Sequence, residues 1–184
     1  MSGRADDYVS EIGFTRGYFP EMSLPWIRLA LVKAGIAPPE ICTACELGFG
    51  QGVSLAIHSA ASSTRWYGTD FNPEHATMAR RLAHSFGSNA RLDAKDFAHY
   101  FEQADLPDFD FIGLNGVWSW VSDETRRLIS AFVGSKLRPG GIFYVSYITQ
   151  PGWAPYQPMR DLLVQHGLRG DAEPAPRKKF LGLF

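Results

Sequence analysis

The sequence predicts a single α/β domain with a doubly wound, mainly parallel sheet. From residue 40 onward, strand-like apolar runs alternate with helical patterns, which is typical of a parallel sheet covered on both faces. A loop with glycines at positions 48, 50 and 52 separates the first such strand from the first helix. The chain has 184 residues, 45% hydrophobic and 20% charged, which is enough for one core and excludes a disordered or fibrous protein.

Each element follows from a local pattern. Five apolar, β-branched or aromatic segments are expected to be strands: residues 41–47, 65–68, 90–93, 110–117 and 142–148. Helices are expected around and between them: residues 25–34, 53–61, 73–86, 123–136 and 159–166. Two helix starts carry an N-cap followed by acidic residues, at Asn72 and at Ser122. An Arg-Pro-Gly-Gly turn at residues 138–141 is expected to precede the last strand.

The domain divides by these patterns into three parts. Residues 1–40 form a helical cap and entry segment, residues 41–167 form the α/β core, and residues 168–184 form an irregular tail. With 18 Lys and Arg against 19 Asp and Glu, the chain has no overall basic field for nucleic acid or an anionic membrane. No apolar run is long enough to cross a membrane and the first ten residues are polar, so we expect a cytoplasmic protein.

The two cysteines, Cys42 and Cys45, have a spacing found in redox and zinc sites. On a strand, residues three apart point to opposite faces and lie roughly 10 Å apart, which is too far for a disulfide. A second cysteine pair for zinc is missing, and the 5 histidines show no metal-ligand spacing. We therefore expect ordinary buried thiols and no metal site.

The glycine loop follows Glu46, the acidic residue near the end of the first strand. Glycines there allow a tight turn, and exposed amides at a helix start suit a polar or anionic ligand group. Asp70 ends the next strand, where a carboxylate can accept hydrogen bonds from vicinal ribose hydroxyls. The dinucleotide fingerprint requires Gly or Ala at position 53, and Val53 stands there, which disfavours a nicotinamide oxidoreductase.

The acid followed by Gly-x-Gly-x-Gly resembles motif I of the class I S-adenosylmethionine-dependent methyltransferases, which have a Rossmann-like fold. The resemblance implies that Glu46 helps to hold the methionine amine of the cofactor and that Asp70 binds the ribose. It also implies adenine contacts from an acid after the third strand, with Asp96 and Asp93 as competing candidates. The cofactor set that it implies is Glu46, Gly48, Phe49, Gly50, Gly52, Asp70, Phe71, Asp96, Phe97, Asn115 and Gly116.

Two aromatic segments resemble a narrower group, a bacterial methyltransferase family often joined to a methyltransferase regulatory domain. They are Asn-Gly-Val-Trp-Ser-Trp-Val at residues 115–121 and Tyr-Val-Ser-Tyr-Ile-Thr-Gln-Pro-Gly-Trp at residues 144–153. The match covers roughly residues 8–166. Asn115 replaces a frequent His and Ile148 a frequent Asn, so no catalytic role is carried over to these two positions.

Methyl transfer from a sulfonium is an in-line displacement whose leaving thioether needs no protonation, so no fixed catalytic triad is required. Ligands of open α/β folds bind at the carboxyl ends of the strands. The pocket candidates there are Asn115, Trp118, Trp120 and Tyr147, with core packing as the alternative for each aromatic side chain. In an extended segment Trp118 and Trp120 would point to opposite sides.

The sequence therefore predicts a methyltransferase whose acceptor, a small molecule or a protein side chain, is not identified. The alternative is a non-catalytic S-adenosylmethionine-binding module, or a remnant that needs a further C-terminal domain or partner. Its basis is that the 36 residues after residue 148 show no convincing antiparallel strand pair of the kind that completes the sheet of this family.

Overall fold

The structure is a computed structural model that describes residues 17–168. These residues belong to two compact units, which meet in sequence between Ser146 and Tyr147. The larger unit holds the whole sheet. Between residues 17 and 168, no helix is both long and apolar enough to cross a membrane.

The larger unit is built on five parallel strands in the spatial order β3-β2-β1-β4-β5. The strands are β1 (Thr43–Leu47), β2 (Arg65–Asp70), β3 (Arg91–Ala94), β4 (Phe109–Leu114) and β5 (Leu137–Val145). From the neighbouring strands β1 and β4, the strand order proceeds in opposite directions, to β2 and β3 on one side and to β5 on the other. Such a switch point opens a crevice at the carboxyl ends of the strands, which is where ligands bind in open α/β sheets.

Five α-helices accompany the sheet among the described residues of this unit. They are α1 (Leu24–Lys33), α2 (Val53–Ala60), α3 (Pro73–Ser85), α4 (Phe97–Phe101) and α5 (Asp123–Lys136). Every residue of β1 and β4 is buried, because both strands are central and covered on both faces. The core therefore anchors the two strand ends that border the crevice.

The predicted parallel α/β fold is confirmed, and so are both predicted helix starts. The Asn72 side chain accepts hydrogen bonds from the backbone N–H groups of Glu74 and His75, and the Ser122 side chain accepts one from Thr125. These caps satisfy backbone donors that have no partner within a helix, which explains why α3 and α5 begin where the sequence indicates.

The predicted end of the fourth strand is wrong. β4 ends at Leu114, Gly116 turns the chain with a φ of 67°, and a short 3-10 helix follows over Trp118–Trp120. The two tryptophans therefore do not alternate along an extended segment. Gly is the residue that adopts a positive φ at least cost, so its presence at position 116 is the sequence signal for this turn.

The Arg-Pro-Gly-Gly segment is also not a turn before the last strand. β5 already begins at Leu137, which pairs with Phe109, and the register shifts before Phe111 pairs with Ile142. The extra residues bulge within the strand, and Gly140 there has a φ of 79°. Helix α4 was not predicted at all; it has only five residues, too few to show a periodic pattern.

The two thiols differ in their surroundings. Cys45 is buried as predicted, and burial raises its pKa to about 12. Cys42 is exposed, so the prediction of a buried thiol is wrong there. It precedes β1, and its backbone N–H donates to Asp110 Oδ2 at 2.8 Å.

The smaller unit is helical from Gln150 to Leu168. It contains α6 (Gln150–Trp153), a 3-10 helix (Ala154–Tyr156) and α7 (Gln157–Leu168). The predicted helix over residues 159–166 is confirmed, although α7 begins earlier and continues past Gly167. The irregular tail was expected over residues 168–184; Leu168 instead ends α7, and residues 169–184 lie outside the described residues.

Candidate ligand site at the carboxyl ends of the strands

The glycine loop takes a conformation that favours glycine at three positions. Gly48, Gly50 and Gly52 have φ values of 73°, 56° and 72°. A Cβ atom at Gly48 would lie 2.6 Å from Val117 Cγ2, and one at Gly52 would lie 2.3 Å from Ala79 Cβ. A Cβ atom at Gly50 would meet nothing within 4 Å. The loop is thus tightly packed at its two ends and open at its middle.

Asp70 ties this loop to the end of β2. Its Oδ2 accepts the Gly50 N–H at 2.8 Å, and its Oδ1 accepts the Asn72 N–H at 3.0 Å. His75 Nδ1 lies 3.4 Å from the same Oδ1. Burial raises the pKa of Asp70, and the N–H donors of Asn72 and Gly50 oppose that rise. The carboxylate is therefore fixed in place before any ligand arrives.

Glu46 has a less satisfied environment at the end of β1. Its side chain is buried, and its Oε2 has no hydrogen-bond partner among residues 17–168. Burial, and then the nearby charge of Asp70, raise the pKa of Glu46 to about 8. A buried carboxyl oxygen that lacks a donor is costly, so this position favours a ligand that brings a hydrogen-bond donor or a positive charge.

The turn after β4 borders the glycine loop, because Val117 packs against the Gly48 position. Asn115 is half-buried, Gly116 is exposed, and a Cβ atom at Gly116 would meet nothing within 4 Å. The structure therefore brings the predicted residues Asn115 and Gly116 to the same edge as Glu46, Gly48 and Asp70.

Asp96 and Phe97 follow β3, but their side chains already have protein contacts. Asp96 is the N-cap of α4, and its Oδ1 accepts the His99 N–H at 2.8 Å. Phe97 is buried and stacks on Phe101 with ring centroids 5.7 Å apart, while its ring also reaches 3.8 Å from the Cβ position of Gly48. Asp93, the competing acid, lies 3.5 Å from Arg91 Nε. Neither acid is singled out as a ligand contact by this geometry.

The two other predicted phenylalanines differ in burial. Phe49 lies in the hydrophobic core, and its ring comes within 2.9 Å of the Cβ position of Gly68. Only its main chain is therefore left to border the loop. Phe71 is half-buried and directly follows β2, so its ring remains a candidate for packing on a planar group.

The aromatic pocket candidates are arranged unequally. Trp118 is half-buried, Arg126 donates from Nε to its carbonyl oxygen at 3.0 Å, and the Arg126 guanidinium lies 5.9 Å from its ring centroid. Trp120 is 44% exposed. Tyr147 belongs to the smaller unit, so its predicted place in the pocket stays a prediction.

Four residues at this edge were not predicted from the sequence: Thr69, His75, Val117 and Ser146. The Thr69 carbonyl accepts the Gly48 N–H at 2.8 Å. Ser146 joins the ends of β4 and β5 through its hydroxyl. Of these four, Val117 and Ser146 carry a sequence signal, because they lie within the aromatic segments 115–121 and 144–153.

Comparisons with known proteins identify relatives by sequence and by structure. No family model matches the chain. The uncharacterized protein sll1526 of Synechocystis sp. is 36% identical over 174 residues, which are 92% of this chain and 34% of that protein. An uncharacterized protein of Rickettsia prowazekii is 29% identical over 77% of this chain and 58% of its own length. The chain thus spans only about a third to about three fifths of these relatives.

Two solved structures show the same architecture. PKMT2 from Rickettsia typhi, in complex with AdoHcy, matches with a TM-score of 0.72 and 23% identity over 91% of this chain and 33% of its own. The N-methyltransferase NodS from Bradyrhizobium japonicum matches with a TM-score of 0.53 and 18% identity over 71% of this chain and 68% of its own. The chain therefore has the class I methyltransferase fold.

Proposed function

We propose that this chain binds S-adenosylmethionine at the carboxyl ends of its strands and transfers the methyl group to a small molecule or a protein side chain. The observation that carries the proposal is the buried Glu46 carboxyl group, whose Oε2 has no partner among residues 17–168. It lies at the end of β1, next to the glycine loop. A cationic ligand group there would satisfy it.

The rest of the site fits a nucleoside that carries an amino-acid group. Each carboxylate oxygen of Asp70 accepts one backbone N–H, and Oδ2 retains a second lone pair for a ribose hydroxyl, whereas Oδ1 also faces His75 Nδ1. The open face at Gly50 leaves room for close approach of a ligand to the backbone. Phe71, which is half-buried and follows β2, offers aromatic surface beside the loop.

When bound, S-adenosylmethionine supplies a methyl group on a positively charged sulfur. A lone pair of the acceptor forms the new bond to the methyl carbon, and the electron pair of the breaking C–S bond goes to sulfur. An acceptor that carried a proton would release it to solvent, and no residue of this chain would need to protonate the departing sulfur. The protein contributes by holding the two reactants in line and by excluding water.

In this proposal Glu46 and Asp70 hold the amino group and the ribose. Trp118 and Trp120 wall the acceptor side, and Trp118 is the better fixed because Arg126 holds it. No overall basic field favours nucleic acid as the acceptor, since the formal charge is -1. We also propose a cytoplasmic location, where S-adenosylmethionine is made and used.

A second candidate is a cofactor-binding module that transfers methyl groups only together with further polypeptide. The fact that favours it is that this chain matches 33% of PKMT2 and 34% of the Synechocystis protein. Under this hypothesis the remaining parts of such proteins would supply the acceptor site. The two candidates share the cofactor and differ in whether the chain acts alone.

Isothermal titration calorimetry of the purified chain with S-adenosylhomocysteine tests the cofactor, and NADH serves as the control nucleotide. We expect saturable 1:1 binding of the first and none of the second. Glu46→Gln should weaken binding at least about tenfold, which corresponds to the loss of one charged hydrogen bond. Glu40→Gln is the matched control, because Glu40 is exposed and precedes β1.

Radiolabelled S-adenosylmethionine incubated with the chain and a cell lysate then separates the two candidates. Transfer above that of the Glu46→Gln variant supports an enzyme that acts alone. Binding without transfer supports the module. Absence of binding in a folded protein would contradict both.

A further inference from the structure

Ser146 makes three hydrogen bonds at the exit of β4. Its backbone N–H donates to the Leu114 carbonyl at 3.0 Å. Its Oγ accepts the Gly116 N–H at 2.7 Å and donates to Asn115 Oδ1, also at 2.7 Å. Ser146 at the end of β5 thus bonds, through its side chain and its backbone, to three consecutive residues at the end of β4: Leu114, Asn115 and Gly116.

The donors and acceptors of this group fix the orientation of the Asn115 amide. A backbone N–H can only donate, so Ser146 Oγ must act as the acceptor for Gly116. Its single proton is donated to Asn115 Oδ1, so the oxygen end of the amide faces Ser146 and the Nδ2 end faces away. Asn115 Nδ2 donates to no residue between 17 and 168, so its hydrogens remain for a ligand.

We propose that Ser146 is a positioning residue, which holds Asn115 so that its amide donates to a hydrogen-bond acceptor on the bound ligand. The inference rests on the proposed function, since the ligand is S-adenosylmethionine or the methyl acceptor beside it. The turn is close enough to matter, because Val117 packs directly on Gly48 of the glycine loop. The recognised group is an oxygen or an unprotonated nitrogen.

Asn115 takes no part in proton transfer in this arrangement. An amide does not titrate, so Asn115 cannot remove a proton from the acceptor. The Ser146 hydroxyl already uses one lone pair of Oδ1, so the donor side of the amide is the more available one. Asn115 therefore orients a ligand and leaves acid–base chemistry to other groups.

The first test uses the side-chain amide signals of Asn115 in a nitrogen–proton NMR spectrum of the full chain, assigned by their loss in Asn115→Asp. Ser146→Ala should shift both signals and speed their exchange with water, and Ser146→Thr should restore them because it keeps the hydroxyl. Ser130→Ala on α5 is the matched control and should leave them unchanged, since Ser130 bonds only within its helix, to the Arg126 carbonyl. If Ser146→Ala does not fold, Ser146→Cys, a weaker donor, takes its place.

Unchanged Asn115 signals in a folded Ser146→Ala or Ser146→Cys variant would overturn the proposal. Adding S-adenosylhomocysteine distinguishes the two ligand sources. A shift of the Nδ2 signals on binding assigns the contact to the cofactor, whereas an unchanged signal together with slower transfer assigns it to the methyl acceptor. An unchanged signal with unaltered transfer would overturn the ligand role.

The second test measures the rate of methyl transfer from labelled S-adenosylmethionine to lysate acceptors. If Asn115 contacts the methyl acceptor, Ser146→Ala should lower the maximal rate about tenfold or more and change the Kd of S-adenosylhomocysteine much less. In an Asn115→Ala background the same change should have little further effect, because only the bond from the Gly116 N–H to Ser146 Oγ is then left to lose. A full additional loss in that background would contradict the inference. If wild-type protein binds no S-adenosylhomocysteine, the proposed function fails, while the amide signals still decide the Ser146–Asn115 contact.

Discussion

Replacing Glu46 by Gln should stabilise the ligand-free protein and weaken its binding of the cofactor. The carboxyl group is 4% exposed, and burial, followed by the charge of Asp70, raises its pKa from 4.5 to about 8. The folded state therefore holds a proton that the unfolded state loses at lower pH. For a carboxyl group whose pKa is raised on folding, stability is present below the unfolded pKa and is lost as the pH rises toward the folded pKa.

The size of this effect follows from the two pKa values. A pKa difference of one between the folded and unfolded states corresponds to about 1.4 kcal/mol, so the carboxyl group removes about 5 kcal/mol of unfolding free energy over its whole titration, of which roughly 3.5 kcal/mol falls between about pH 5 and about pH 8. Glutamine carries no charge and fits nearly the same volume. The difference in unfolding free energy between Glu46→Gln and wild type should therefore grow by roughly that amount across this range.

Urea denaturation followed by circular dichroism at several pH values measures this difference. Titrating groups that do not interact with Glu46 contribute equally to both proteins and cancel when the two curves are subtracted. Glu40→Gln should give a difference that does not change with pH, because Glu40 is exposed. A flat difference curve for Glu46→Gln would refute the claim that Glu46 is buried without a partner in the free protein.

Three further changes have expected outcomes. Gly52→Ala should destabilise the chain by about 2–4 kcal/mol in urea titrations, since its Cβ would lie 2.3 Å from Ala79 Cβ. Gly50→Ala should cost only about 1–2 kcal/mol of backbone strain, because its Cβ would meet nothing within 4 Å. Equal losses for the two variants would contradict the packing described. Burial lowers the pKa of His58 to about 4, so the unfolding free energy should fall as the pH drops from about 6.5 toward 4. His58→Phe should remove roughly 2 kcal/mol of that loss, measured by denaturation at several pH values. The same loss of stability at acid pH in both proteins would contradict this role of His58. Asp110 accepts the N–H groups of Cys42 and Thr43, so Asp110→Asn should lower the unfolding free energy by about 2–4 kcal/mol in urea titrations, and a loss below about 0.5 kcal/mol would contradict this role.

The parallel sheet could be predicted because its evidence is local. Buried strands such as β1 and β4 are short apolar runs, and helices such as α3 and α5 are marked by their caps. The errors fall where the chain departs from a periodic pattern. The turn at Gly116 and the bulge in β5 depend on backbone geometry and strand register, which hydrophobic periodicity does not report.

The candidate site could be predicted in part for a related reason. Glu46, the glycines and Asp70 occupy fixed places relative to strand ends, so assigning the strands in order brings them to one edge. The neighbours that fix them come from other parts of the chain: His75 contacts Asp70 from α3, and Ser146 contacts Asn115 from the end of β5. Such contacts join residues through the fold, and a single sequence contains no pattern that pairs them. Phe49 shows a further limit, because its place in the motif gives no sign that its ring lies in the core.

The most direct test of the central claim is the number of protons released when S-adenosylhomocysteine binds, measured by calorimetry at pH 7 in two buffers of different ionisation enthalpy. With a pKa of about 8 in the free protein, Glu46 is mostly protonated at this pH, and an ammonium group beside it would favour the carboxylate. We predict release of close to one proton per ligand (~0.9) from wild type and almost none from Glu46→Gln. Binding without proton release, or the same release from both proteins, would contradict the proposed pairing of Glu46 with the cofactor.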